Sequence, residues 1–317
     1  MPIVLPPWNP SAPLQPLRLD WLARAAVEVA VLRLDLLDPL ISGNKWFKLK
    51  PHLEAAAVAG ADGLISLGGA HSNHLHALAA AGRRFGFETV GLLRGEPQAT
   101  PTTRDLQECG MCLHWLGYAG YRDRHRADFW QPWRERYPRL LPVSEGGGGL
   151  LAARACAAIV ELARAQLAEL GWDDYHGWWL AAGTGTTAAG LVLAEGGERQ
   201  VHVAMAVPSG HGVESQLQAI LHEAGRVDAG YRLLDASRGG FGRIDGPLAQ
   251  CIDDCERAGG LPLEPLYTGK AMLALRGEVE AGYFAPGTRL LLLHTGGLQG
   301  RRAMAQRLEE LAAVRQE

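Results

Sequence analysis

The chain has 317 residues, 31 Lys and Arg against 34 Asp and Glu, and a formal net charge of −3. That balance, with no long run of one sign, gives no footing for nucleic acid or a membrane surface and leaves a small molecule as the default ligand. No apolar stretch reaches the roughly 18 residues that a membrane span needs, the first residues lack a signal-peptide pattern, and five scattered cysteines make no disulfide framework, so a cytoplasmic protein with reduced thiols is expected.

In chain order, short β-branched and leucine-rich runs alternate with longer alanine- and leucine-rich helical patterns, the mark of an α/β protein with parallel sheets. Strands are expected at 27–34, 63–67, 88–93, 112–116, 178–182, 201–207, 231–235 and 289–294. A helix is expected from about Asn44 to a stop at Gly60, and another from Ser72 to Gly82. Both begin on a polar cap, and free N–H groups at such helix starts favour anions. Cys109 and Cys112 have the spacing of half a metal or redox site, but they lie across a turn and read as ordinary buried thiols. The glycine run Gly146–Gly149 is the clearest break in composition, a hinge or a crossover between domains. Cys251 and Cys255, one helical turn apart, read as core.

Three segments carry chemistry. Ser42-Gly43-Asn44-Lys45-Trp46-Phe47-Lys48 sets a lysine at a helix start beside aromatic residues, an apolar setting that lowers an amine pKa, although a lysine pair at a helix start is more often a solvated face. Gly68-Gly69-Ala70-His71-Ser72-Asn73-His74 sets a hydroxyl and an amide at the carboxyl end of a strand, where open α/β sheets bind ligands; capping alone also explains the pair. A zinc role for His71, His74 and His76 is not expected, because a helix separates their faces. Gly183-Thr184-Gly185-Thr186-Thr187 follows a strand and opens a helix, which makes it a phosphate cradle or merely a tight turn. It lacks the Gly-Lys-Ser/Thr of a nucleotide P-loop.

These motifs, Gly-Asn-Lys-x-x-Lys-Leu and Gly-Gly-x-x-Ser-Asn-His, together with Tyr267-Thr268-Gly269-Lys270, resemble the signature of the 1-aminocyclopropane-1-carboxylate deaminase and D-cysteine desulfhydrase family. The likeness runs from Pro13 to Thr295-Gly296-Gly297. It implies pyridoxal 5'-phosphate as cofactor and a fold of two open, mostly parallel twisted sheets flanked by helices, with the cofactor in the cleft between them. The smaller domain, residues 46–145, is then inserted into a larger one made of 1–45 and 146–317. A homodimer acting on a small amino acid is the expected assembly.

By the resemblance, Lys45 holds the cofactor covalently and Lys48 does not. Asn73 bonds the ring hydroxyl, Ser72 meets the substrate carboxylate or assists proton transfer, and Tyr267 is an acid or base. The resemblance lets Gly183, Thr184, Gly185, Thr186 and Thr187 hold the phosphate and Thr295 face the pyridine nitrogen. Deaminases of the cyclopropane substrate carry glutamate at the Thr268 position and leucine at the Thr295 position. Desulfhydrase-like relatives carry hydroxyl residues, and a neutral partner makes a weaker electron sink that suits β-elimination of a thiolate. The expectation is therefore a D-cysteine desulfhydrase-like carbon–sulfur lyase, with cyclopropane-carboxylate deamination as the alternative. Phe241 stands where the family commonly has a second tyrosine, which leaves open a binding protein with decayed catalysis. A nucleotide-binding protein is the third reading.

Overall fold

The computed structural model describes residues 2–5 and 7–313. Among these residues ten strands form two sheets: β1 (Leu14–Leu17), β2 (Glu28–Arg33), β3 (Gly63–Gly68), β4 (Glu88–Leu93), β5 (Cys112–Trp115), β6 (Leu140–Pro142), β7 (Gly177–Ala182), β8 (Gln200–Met205), β9 (Tyr231–Asp235) and β10 (Arg289–His294). The larger sheet has the order β1-β2-β10-β7-β8-β9, and the smaller the order β5-β4-β3-β6. Every pairing is parallel except β1 with β2. The chain thus leaves the larger sheet after β2, builds the whole smaller sheet, and returns through the glycine run to β7.

All six residues of β3 and of β7 are buried, as parallel strands covered on both faces require. Successive Trp178 and Trp179 show the two faces directly. Alternation sends Trp178 into the core beneath the Thr186–Glu195 helix, where its Nε1 donates to Glu195 Oε1 at 2.6 Å, and Trp179 into the opposite core, where its Nε1 donates to the Ala271 carbonyl at 2.8 Å.

The eight expected strands are all present, with ends shifted by a residue or two. Two more, β1 and β6, went unread because they are four and three residues long. β1 also contains Pro16, tolerated because this is an edge strand. The second expected helix runs past Gly82 to Phe85 and ends on Gly86 in the left-handed conformation. Gly82 is a packing position: a Cβ there would lie 2.5 Å from Thr89 Cγ2. Cys251 and Cys255 are buried in the core as expected, while Cys112, read as a buried thiol, is exposed on edge strand β5 within 3.6 Å of His114 and Tyr137.

Candidate active site

A cleft of about 700 Å³ lies where the carboxyl ends of β3, β7, β8 and β10 meet, the edge at which open α/β sheets bind ligands. Its walls include Lys45, His71, Ser72, Asn73, Gly183, Thr184, Gly185, Thr187, Tyr267 and Thr295, so the tertiary structure gathers nearly all the residues singled out from the sequence.

Lys45 opens the Lys45–Val58 helix. The turn before it works only with glycine, because Gly43 has φ +74° and a Cβ there would lie 2.0 Å from the Thr295 carbonyl oxygen. That contact clamps the lysine turn to the loop after β10, and Asn44 N donates to the same carbonyl at 3.3 Å. Lys45 Nζ donates to Asn44 Oδ1 at 2.7 Å, and Asn44 Nδ2 donates to Thr187 Oγ1 at 2.8 Å. Burial, then the charge of Lys48, pushes the Lys45 amine well below its ordinary pKa. Trp46 packs edge-on against Trp8, with ring centroids 4.3 Å apart, and neither Trp46 nor Phe47 lines the cleft.

Lys48, one turn on, also faces the cleft, and its Nζ donates to the Gly146 carbonyl. Burial lowers it to about 8. Its i+3 spacing from Lys45 was the available signal that both amines share a face. The glycine run is therefore a wall of the site as well as a crossover, with positive φ at Gly146, Gly147 and Gly149. Glu145 beside it is held by Tyr121 Oη at 2.6 Å and Arg124 Nε at 2.8 Å, partners that nothing in the motif pattern announced.

Ser72 caps the Asn73–Phe85 helix, its Oγ accepting from Leu75 N at 3.2 Å, while the residue remains on the cleft wall. Asn73 Oδ1 accepts from Gln299 Nε2 at 2.9 Å, a partner that sequence spacing could not reveal. His74, also on the cleft wall, has its Nε2 2.8 Å from Ser66 Oγ, and burial pushes its pKa well down. His76 meets Asp105 instead. Among the described residues no group of three His, Cys, Asp or Glu stands close enough to hold a metal ion.

The glycine–threonine loop turns β7 into the Thr186–Glu195 helix. Gly185 is its N-cap at φ +76°, and no side chain caps this helix, which leaves its first N–H groups for an anion. The glycine itself is fixed from behind, since a Cβ would lie 2.8 Å from the Val213 carbonyl oxygen. Thr184 and Thr187 reach the cleft; the Thr186 side chain is fully buried and does not. Tyr267 lies against Gly183, where a Cβ would be 2.8 Å from its ring, and burial raises the phenol pKa. Thr268, by contrast, is buried off the cleft wall, its Oγ1 3.1 Å from Glu264 Oε1, and Glu264 also takes the backbone N–H groups of Leu266, Tyr267 and Thr268.

The amine of Lys45, the uncapped helix start, the glycines that let a ligand approach the backbone and the volume between them fit pyridoxal phosphate. No protein-family model matches the sequence. Individual relatives do: a putative 1-aminocyclopropane-1-carboxylate deaminase of Pyrococcus horikoshii is 30% identical over 289 residues, 86% of this chain and 85% of the relative. The 1-aminocyclopropane-1-carboxylate deaminase of Burkholderia ambifaria is 29% identical over 93% of this chain and 94% of its own. The crystal structure of an ACC deaminase homologue superposes with a TM-score of 0.82 at 26% identity, covering 98% of this chain and 95% of that one. These likenesses replace the nucleotide-binding reading of the Gly183 loop. The chain belongs to the 1-aminocyclopropane-1-carboxylate deaminase family of fold type II enzymes, lyases and deaminases that work through pyridoxal phosphate.

Proposed function

We propose that the chain, with water, deaminates a small α-amino acid to a 2-keto acid and ammonia by a redox-neutral route in which a strained ring bond or a bond to a β-substituent breaks, with 1-aminocyclopropane-1-carboxylate as the first substrate to test. The observation that carries this reading is the Lys45 amine, its pKa depressed, on the wall of one cleft with Ser72 and the Tyr267 phenol. The names of the relatives support the substrate.

In this reading Lys45 binds the cofactor, the Gly183–Thr187 backbone with Thr184 and Thr187 holds its phosphate, Asn73 meets the ring hydroxyl and Thr295 the ring nitrogen. The cofactor supplies an electron sink for charge developing on the substrate. Lys45 Nζ, when free, would be a base of lowered pKa suited to take a proton from the substrate and return it. Tyr267, its pKa raised, stays protonated and donates. Ser72 and the helix start behind it favour the substrate carboxylate.

A second reading, β-elimination from D-cysteine, is favoured by one observation. The cleft presents neutral Thr295, while the carboxylate of Glu264 is turned away into backbone N–H groups. Purified holoenzyme given each substrate separates the two: 2-oxobutyrate from the cyclopropane substrate supports the first, and pyruvate with sulfide from D-cysteine supports the second. No keto acid from either identifies a non-catalytic binding protein.

A division into residues 1–45 with 146–317 and residues 46–145 is part of the proposal, supported by the smaller sheet's origin entirely within 63–142, and limited proteolysis tests it. Among the described residues no helix is long and apolar enough to cross a membrane. A cytoplasmic homodimer is proposed on the family likeness, with sedimentation as its test.

A further inference from the structure

Lys270 ends the Tyr-Thr-Gly-Lys segment, and the chemistry above makes no use of it. It sits in the first turn of the Thr268–Glu280 helix and is 1% exposed. Among the described residues its ammonium touches no carboxylate. It donates to three main-chain carbonyls, Ser237 at 2.9 Å, Gly240 at 2.8 Å and Phe241 at 2.7 Å, and a fourth, Ala206, lies at 3.5 Å. Four carbonyl oxygens from the loops after β8 and β9 therefore converge on one positive charge. This is the way protein carbonyls replace the water shell of a monovalent cation.

We infer that Lys270 is a tethered cation occupying a carbonyl cage of monovalent-ion type, and that it is a positioning residue which shapes the 237–242 loop and so places Phe241 on the cleft wall. The loop has reasons to need such a charge. Arg238 is one of two described non-glycine residues with positive φ, at +61°, and Gly239 follows at +79°. That backbone turns three carbonyl dipoles inward toward a common point, where without a cation they repel one another; Ser237 and Gly240 each also accept one backbone N–H, from Gly240 and Arg243 at 3.1 Å. Outside the loop, Arg238 is held only at the rim by Asp245, at 2.6 Å. At the loop's end Phe241 stands edge-on to Tyr267, ring centroids 5.3 Å apart, and both line the cleft. Burial lowers the Lys270 pKa to about 8, opposed by Glu264, Asp235 and Asp245, so the group still carries its charge at neutral pH.

The cage has a property that a merely structural lysine lacks. Removing the side chain while leaving room should create a site for a free ion. Lys270→Ala opens the space, whereas Lys270→Met fills it with an uncharged chain. Thermal unfolding of each holoprotein is followed in potassium, ammonium or tetramethylammonium chloride at one ionic strength, together with KM for whichever substrate is turned over. The wild type should be indifferent to the salt. Lys270→Ala in tetramethylammonium should unfold at lower temperature and show KM raised at least about tenfold, equivalent to 1.4 kcal/mol. Potassium or ammonium should restore both saturably, and Lys270→Met should not respond. A Lys270→Ala protein that gains neither stability nor folded yield from potassium or ammonium overturns the inference, as does a Lys270→Met protein equal to wild type. The unfolding measurement does not depend on the substrate, so failure of the proposed activity leaves it standing.

Discussion

Asn44 and Thr187, 143 residues apart in the chain, are joined by a hydrogen bond of 2.8 Å from the amide Nδ2 to the hydroxyl Oγ1, and the same amide presents its oxygen to Lys45 Nζ. One side chain thus ties the proposed cofactor amine to the proposed phosphate loop. Asn44→Ala removes both bonds and leaves Thr187 without this partner in the interior. A buried hydrogen bond lost this way costs about 1–3 kcal/mol, so cofactor affinity should fall by about tenfold or more, measured by equilibrium titration of the apoprotein.

Lys45 and Lys48 both face the cleft, and only chemistry separates them. Borohydride reduction of the holoenzyme followed by peptide mapping should find the cofactor on Lys45. Lys45→Ala should yield no reduced adduct, and Lys48→Ala should still yield one. An adduct on Lys48 in the wild type would reverse the assignment.

Gly43 packs its α-carbon against the Thr295–Gly296 backbone at positive φ, so even one methyl group has no room. Gly43→Ala should destabilise the fold by on the order of 3 kcal/mol, within the range for a substitution that combines strain with overpacking. Urea unfolding measures it. Gly60→Ala is the control, also at positive φ but with nothing within 4 Å of the added carbon, and it should cost much less.

His202 is buried between Trp179, Tyr283 and Phe284, its Nδ1 has no hydrogen-bond partner, and burial lowers its pKa from 6.5 to about 4. The unfolded chain accepts a proton near pH 6.5 that the folded protein refuses until about 4. The stability this neutral ring allows is therefore complete above 6.5 and is lost as the pH falls through that window, by on the order of 3 kcal/mol at its end. Denaturation curves between pH 7 and 4 should be less steep in pH for His202→Phe than for wild type, and equal slopes would refute this cause.

Phe241 and Tyr267 meet edge to face in the cleft. If the missing phenol limits catalysis, Phe241→Tyr should raise kcat on the preferred substrate by about 10² or more, the usual worth of a positioned acid or base. An unchanged kcat with altered KM would instead assign Phe241 to pocket shape.

By itself the sequence determined the α/β class, eight of the ten strands seen among the described residues, the two helix starts and several of the segments that line the cleft. All of these rest on local patterns: apolar periodicity, caps and glycine turns act over a few residues and are visible within them. β1 and β6 escaped because a three- or four-residue strand carries too little periodicity, and its place is set by a partner strand far along the chain. Only the tertiary structure decided which side chains of a motif face the cleft. Thr186 and Thr268 lie inside recognised motifs yet turn into the protein, because helix geometry and the Glu264 carboxylate claim them. Lys48, Gln299 and Lys270 gained their partners from segments between 29 and 226 residues distant. Contacts of that separation leave no local signature, since they form only when burial brings unlike segments together and each polar group left inside must find a partner.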